Sequence, residues 1–241
     1  FLIALMNTAA FGLQNIISLI SRERCMTNLK KFRVPSLNKT GKPPSATAAV
    51  LIPLCNIKDR TSILYTVRAT NLRSDSGHIS FPGGKTDRSE SAIETALRET
   101  QEEIGLSPNR IDIWGSGEPV PGRKNKIMIS PVIGFIQDLQ ESDLCLNRSE
   151  VSEVFAAPLE ILCDPKNHFY TQFKNGYILP VFAVEEFKIW GVTAYMTHIF
   201  LSCLLPKDIY RNDWMRKKIF ISKYKSYISQ ATIVLLNYHL K

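Results

Sequence analysis

An α/β domain is the fold class this sequence predicts, and three observations carry the prediction. Apolar runs of strand length recur between turn-forming clusters, and two longer segments carry helical periodicity. The chain is also long enough, at 241 residues and 44% hydrophobic, to bury a substantial core. That length fits one domain with extensions better than two domains, and no internal repeat is evident.

In chain order, residues 34–46 (VPSLNKTGKPPSA) are rich in Pro, Gly and Ser and read as a linker. TAAVLIPLC (47–55) and SILYTVRA (62–69) read as strands, with NIKDR as the turn between them. Residues 70–84 (TNLRSDSGHISFPGG) form a long loop with a short strand near Ile79 to Phe81. A helix begins at Ser89, runs through SESAIETALRETQEEI and ends at Gly105 in the C′ position. Ala92, Ala96, Leu97, Thr100 and Ile104 make its buried stripe. IDIWGSGEPV (111–120) and KIMISPVIGFIQ (126–137) read as strands, and residues 138–150 as a polar loop. SEVFAAPLEILC (152–163) reads as a short helix, HFYTQF with GYILPVFAV as a hairpin, and VTAYMTHIFLSCLL as a largely apolar helix. The expected domain spans 45–206, flanked by an N-terminal extension (1–44) and a basic C-terminal extension (207–241).

The formal net charge of +8 is unevenly placed. From Lys207 onward eight basic residues face two acidic ones, the first fifty residues hold seven basic residues against Glu23, and the stretch 51–206 is left about −4. An acidic, metal-binding middle with basic ends explains this better than a nucleic-acid-binding domain. Five scattered cysteines, with no CxxC pair, argue against a disulfide framework and a structural zinc site. Residues 1–21 are uncharged, but Asn7, Thr8, Gln14, Asn15 and Ser18 interrupt the apolar run, so no stable membrane span is expected. From Met6 the segment is acid-poor and amphipathic, with Phe11, Leu13, Ile16, Ile17 and Ile20 ahead of Arg22, Arg24, Lys30 and Lys31. That composition resembles a mitochondrial presequence; an unstructured end fits it as well. The segment after Pro206 fits either a membrane-touching basic helix pair or a disordered end.

The densest chemistry lies in FPGGKTDRSESAIETALRETQEEIGL, Phe81 to Leu106. On a helix Glu102 and Glu103 fall on the same side as Glu99, and like charges at that spacing destabilise a plain helix. A divalent cation would reverse that cost, and hard oxygen ligands suit Mg²⁺ or Mn²⁺. Arg98 lies two helical turns from Glu90 and could pair with it as a structural brace if the preceding segment curls back. Gly83 and Gly84 allow positive φ and the close backbone approach that a phosphate-facing loop needs. A solvated acidic face is the plainer explanation of a Glu-rich helix.

The full spacing goes further. Gly84, Glu90, Arg98-Glu99, Glu102-Glu103, Gly105 and Leu106 stand at the positions of the signature of the Nudix hydrolase family, which this chain resembles; Thr100 alone replaces an aliphatic residue. The resemblance implies a Nudix fold, a mixed β-sheet sandwiched between α-helices. It also implies metal-assisted attack of water on a nucleoside diphosphate linked to another moiety. Glu99 and Glu103 would be the principal metal ligands and Glu102 a further one, with Arg98 beside them. Glu118, Glu185 and Glu186 are candidates for the final water-activating base.

Upstream, Leu64, Thr66, Arg68, Leu72, Arg73, Gly77, Ser80, Phe81, Pro82 and Gly84 are similar to the extra motif of the coenzyme A pyrophosphatase branch. Asp75 and His78 depart from it. This similarity implies cleavage of coenzyme A or acyl-coenzyme A to 3′,5′-ADP and (acyl-)4′-phosphopantetheine, with Arg68 and Arg73 on phosphate groups. The same chemistry on another dinucleotide, NADH or ADP-ribose, is an alternative expectation, and a non-catalytic nucleotide-binding module is one of a different class. The expected assembly is a monomer or homodimer. The expected address is mitochondrial, with cytoplasm or peroxisome as alternatives; the terminal YHLK does not fit a Ser-Lys-Leu-like peroxisomal signal.

Overall fold

Two faces of one mixed sheet organise the computed structural model, which describes residues 11–33, 44–70, 77–122, 126–173, 176–211, 218–219 and 233–234. Most of the expected linker, Arg73, and nearly all of the tail beyond Arg211 lie outside these residues. The strands are β1 (Ala46–Ile57), β2 (Arg60–Arg68), β3 (Ile79–Ser80), β4 (Gly83–Lys85), β5 (Asp112–Ser116), β6 (Val120–Pro121), β7 (Ile127–Ile136), β8 (Val151–Pro158) and β12 (Ile233–Val234). Among the described residues the sheet order is β12-β8-β2-β1-β7-β5, with β3 on β2, β4 on β1 and β6 on β7. The β1–β7 and β8–β12 pairs are parallel and the others antiparallel. A second sheet is the meander β9 (His168–Gln172), β10 (Ile178–Val184) and β11 (Phe187–Ile189).

Strand periodicity divides the core. On β1, Ala49, Leu51, Cys55 and Ile57 point to one face and Ile52 and Leu54 to the other. The first face packs under helix α3 (Ala92–Ile104) through Ala96 and Ile104; the second lies against helix α5 (Gly191–Leu204) through Ala194, Met196, Phe200 and Leu201. The sheet is thus held between helices.

The N-terminal segment is docked rather than loose. Helices α1 (Leu13–Ile17) and α2 (Leu19–Lys31) bury Ile16, Cys25 and Leu29. Arg24 and Asn28 of α2 donate to the carbonyls of Leu204 (2.6 Å) and Cys203 (3.2 Å), in the last turn of α5 where carbonyls lack helical partners and a cation also complements the helix dipole. Arg22 bridges to Asp112 at 3.0 Å.

Two expected elements differ from those observed. Of residues 152–163, expected as helix, 152–158 belong to β8 in register with β2, and only Leu159–Cys163 is helical (α4). Val151, Val154, Phe155, Ala156 and Ala157 are all buried, and a short apolar run buried on both faces carries no period that separates strand from helix. The helix expected from Ser89 starts at Ala92 instead. Ser91 caps it in a reciprocal capping box with Glu94, and Ser89 sits at φ 84°. Glu90 is turned back toward Arg98, which a helical Glu90 could not be.

Four of the cysteines are buried and Cys145 is exposed; all five are free thiols. Among the described residues no helix is long and apolar enough to cross a membrane.

Candidate active site

The β3–β4 segment and α3 meet at a cluster of carboxylates. Gly83, at φ 149°, has no room for a side chain: a Cβ would stand 2.4 Å from the Ala49 carbonyl oxygen. Gly84 faces the other way. Its absent Cβ leaves the space that the Glu99 carboxyl fills, 2.4 Å from where that Cβ would be. Two adjacent glycines therefore do two jobs, one fitting the backbone against β1 and the other making a seat for Glu99.

Glu103 lies deepest, 3% exposed. The Gly83 N–H donates to its Oε2 at 3.2 Å, and Arg68 Nη1, at the end of β2, stands 3.8 Å from its Oε1. Burial pushes its carboxyl up to about 7, against the pull of the Gly83 bond and of Arg68. Burial raises Glu99 as well. Glu102 is the more exposed member and meets Arg98 at 3.0 Å. Thr100, the one departure from the aliphatic pattern, is buried beneath them with its hydroxyl donating to the Ala96 carbonyl at 2.6 Å, so it leaves no polar atom unsatisfied.

Arg98 gathers the loop and the helix. Its Nε donates to Glu90 Oε1 at 2.7 Å and its Nη2 to Glu90 Oε2 at 3.1 Å and to the Lys85 carbonyl at 3.2 Å. Its Nη1 reaches Glu99 and Glu102, each at 3.0 Å. This paired arrangement holds the Glu90 carboxyl down at about 2. Thr95 and the Asp87 N–H also donate to Glu90, completing a brace across the turn that precedes α3.

One acidic residue escaped the sequence reading. Glu150 bears electrostatically on both Glu99 and Glu103, raising each. The loop that carries it folds over the end of α3: Cys145 N–H donates to the Ile104 carbonyl, Asn147 N–H to the Glu103 carbonyl, and the Glu150 carbonyl accepts from Ala69 N–H at 2.8 Å. Its signal in sequence is only a Glu just ahead of a strand. Three other acidic residues are candidate bases: Glu118, Glu185 and Glu186. Glu118 lines a small apolar cavity with Leu29, Ile52, Val120 and Met196 on the α5 face, and Glu186 acts on Glu153 and Glu185 near the β10–β11 turn.

The donor set fits a hard divalent cation. Two carboxylates are raised by burial and by neighbouring carboxylates, with Arg68, Arg98 and the Gly83 N–H offsetting this in part, and the seat for Glu99 exists only because residue 84 lacks a Cβ. Among the described residues no three such side chains are already closed into a ready cluster, since Arg98 occupies Glu99 and Glu102.

Comparison with known proteins decides the family: the NUDIX domain matches residues 45–176. The chain belongs to the Nudix family. Human mitochondrial coenzyme A diphosphatase NUDT8 is 41% identical to it over 167 residues, covering 67% of this chain and 70% of that protein. Nudix hydrolase 3 of Caenorhabditis elegans is 34% identical over 218 residues, covering 82% of this chain and 90% of that one. The peroxisomal coenzyme A diphosphatase NUDT7 of Mus musculus is 34% identical over 142 residues, covering 57% and 59%. The α/β expectation and the Nudix assignment both stand, and the chain is a Nudix pyrophosphohydrolase.

Proposed function

We propose that this Nudix hydrolase cleaves the pyrophosphate of coenzyme A and its thioesters, giving 3′,5′-ADP and 4′-phosphopantetheine or its acylated form, with Mg²⁺ or Mn²⁺ as cofactor. The observation that carries the reading is the buried Glu103 carboxylate seated on the Gly83 N–H beside Arg68, with Glu99 in the space left by Gly84. The relatives named as coenzyme A diphosphatases supply the substrate class.

In this reading Glu99 and Glu103 hold the cation, with Glu102 as a further ligand. Bound there, the ion lowers the pKa of its water and neutralises charge on the pyrophosphate oxygens. The chain's own groups do the rest. Gly83 and Gly84 let the substrate phosphates approach the backbone closely. Arg68, 30% exposed beside Glu103, offers its remaining N–H groups to a phosphate oxygen. Arg73 would take another phosphate, the 3′-phosphate of the adenosine half being the natural candidate. Arg98 and Glu90 keep α3 and the loop in register, so that Glu99, Glu102 and Glu103 stay on the side of the helix where they would hold the cation. Water then attacks phosphorus and the P–O–P linkage breaks.

The mitochondrion is the proposed address, supported by the presequence-like composition before Arg22 and by the mitochondrial relative. The working form is a monomer or homodimer. The test is a substrate panel: coenzyme A, acetyl- and palmitoyl-coenzyme A, 3′-dephospho-coenzyme A, NADH and ADP-ribose, with products identified by mass. Preferential release of 3′,5′-ADP supports the proposal. Equal cleavage of dephospho-coenzyme A removes the role given to the 3′-phosphate. Preference for NADH or ADP-ribose overturns the substrate.

A further inference from the structure

The Gly83 N–H that seats Glu103 belongs to a short segment, Ile79–Lys85, and what fixes its height is found on the far side of the sheet. Thr193, in the first turn of α5, donates its hydroxyl to the Ile79 carbonyl at 3.0 Å. One turn later Thr197 donates to the Thr193 carbonyl at 3.0 Å and lies 2.9 Å from the Tyr65 hydroxyl. A threonine hydroxyl has one proton. With that of Thr197 on the Thr193 carbonyl, an acceptor that cannot donate in return, Tyr65 is left to donate to Thr197. One connected set of hydrogen bonds thus runs from Tyr65 through Thr197 to the α5 backbone and from Thr193 to the β3 backbone.

Tyr65 is also the platform for the loop. Its ring stacks on Phe81 at 4.9 Å between centroids and on Phe155 at 5.4 Å, and Phe155 stacks in turn on Phe187 at 3.9 Å. Phe81 is two residues from Gly83. Ile79, gripped by Thr193, is four residues away, and Ser80 between them is tied to Thr66 at 2.9 Å. Tyr65, Phe81, Thr193 and Thr197 are all buried. On the far side Leu51 N–H donates to the Pro82 carbonyl at 2.9 Å. The loop is thus clamped between β1 and a latch on α5, with little freedom left at the glycines.

We infer that Thr193, Thr197 and Tyr65 are positioning residues: through Ile79 and Phe81 they hold the Gly83 N–H against Glu103, and so set the geometry of the carboxylate site from the opposite face of the sheet. None of the three touches the carboxylates. The inference rests on the metal-binding reading of that site given above.

The isosteric Thr193→Val removes the hydroxyl and keeps the shape, and Thr193→Ser restores the hydroxyl without the methyl. Three readouts apply to the full chain: Mn²⁺ affinity by electron paramagnetic resonance of free Mn²⁺, hydrogen exchange of the Gly83 amide, and kcat and KM with coenzyme A. For Thr193→Val the expected result is Mn²⁺ binding weakened about tenfold, faster Gly83 exchange, and kcat lowered roughly ten- to hundredfold, because a small misplacement of a reacting group costs that much. KM should stay within about twofold, and Thr193→Ser should recover most of the loss. Tyr65→Phe keeps the stacked ring, drops only the hydroxyl, and should move the same readouts in the same direction if Thr193→Val fails to fold. A folded Thr193→Val or Tyr65→Phe with unchanged Mn²⁺ affinity and Gly83 exchange overturns the inference, as does a Thr193→Ser as impaired as Thr193→Val. Wild-type protein inert toward coenzyme A overturns the proposed substrate instead; the Mn²⁺ and exchange readouts then still decide this point.

Discussion

Glu103→Gln should raise the stability of the cation-free protein above pH 7 and abolish hydrolysis by the cation-loaded one. The Glu103 carboxyl is carried from its ordinary 4.5 to about 7 by burial. Below pH 4.5 the folded and unfolded chains both keep the proton and no penalty exists. Between 4.5 and 7 the unfolded chain releases it while the folded one retains it, so stability falls as pH rises. Above 7 the full cost is present. At about 1.4 kcal/mol per pH unit, the interval from 4.5 to about 7 amounts to about 3 kcal/mol. Gln keeps an oxygen for the Gly83 N–H and carries no charge. For a domain of this size that corresponds to a Tm higher by roughly 6–12 °C at pH 8 in EDTA. Scanning calorimetry at pH 5 and pH 8 measures it: the gap should be large at pH 8 and nearly closed at pH 5. Adding Mg²⁺ at pH 8 should stabilise the wild type and leave Glu103→Gln where it was. A variant no more stable than wild type at pH 8, or a gap equal at both pH values, would refute the electrostatic account of this residue.

Three further outcomes are expected. Gly84→Ala puts a methyl where the Glu99 carboxyl sits; the end of a flexible side chain can move aside, so Tm should change little while kcat falls about a hundredfold, read by calorimetry beside a coenzyme A assay. Arg98→Lys loses the forked contact with Glu90. It should lower kcat about tenfold and diminish the stability that the wild type keeps above pH 4.5 and loses as pH falls toward about 2, followed by acid titration of circular dichroism. Leu29→Ala, which opens the packing of α2 on α5, should cost about 2–5 kcal/mol in urea unfolding, and a chain starting at residue 40 should unfold at still lower urea.

The carboxylate site was legible because its residues crowd into one turn and one helix. Gly84, Glu90, Arg98, Glu99, Glu102 and Glu103 lie within twenty residues, and helical spacing alone places the last three on one side. The Arg98–Glu90 brace was foreseeable for the same reason. What escaped depends on contacts across long sequence separations. Glu150 bears electrostatically on the site because β8 pairs with β2, and β8 itself was read as helix, since a short apolar run buried on both faces carries no usable period. Helix α2 has a mixed surface, with Leu19 73% and Ile20 75% exposed, and it docks through Arg24 and Asn28 onto carbonyls about 175 residues away. A basic, acid-poor stretch read on its own gives no hint of that partner. The latch from Thr193 to Ile79 was invisible because threonines in an apolar helix look like filler until the strand beneath them is placed.

The most direct test of the account follows product formation from coenzyme A by the full chain as Mg²⁺ or Mn²⁺ is titrated, with Glu99→Gln and Glu103→Gln alongside. The account predicts 3′,5′-ADP and 4′-phosphopantetheine in equal amounts, saturating with the cation, and loss of at least a thousandfold in each variant. Folded wild-type protein that leaves coenzyme A intact at every cation concentration, or a Glu103→Gln that cleaves it at the wild-type rate, would contradict it.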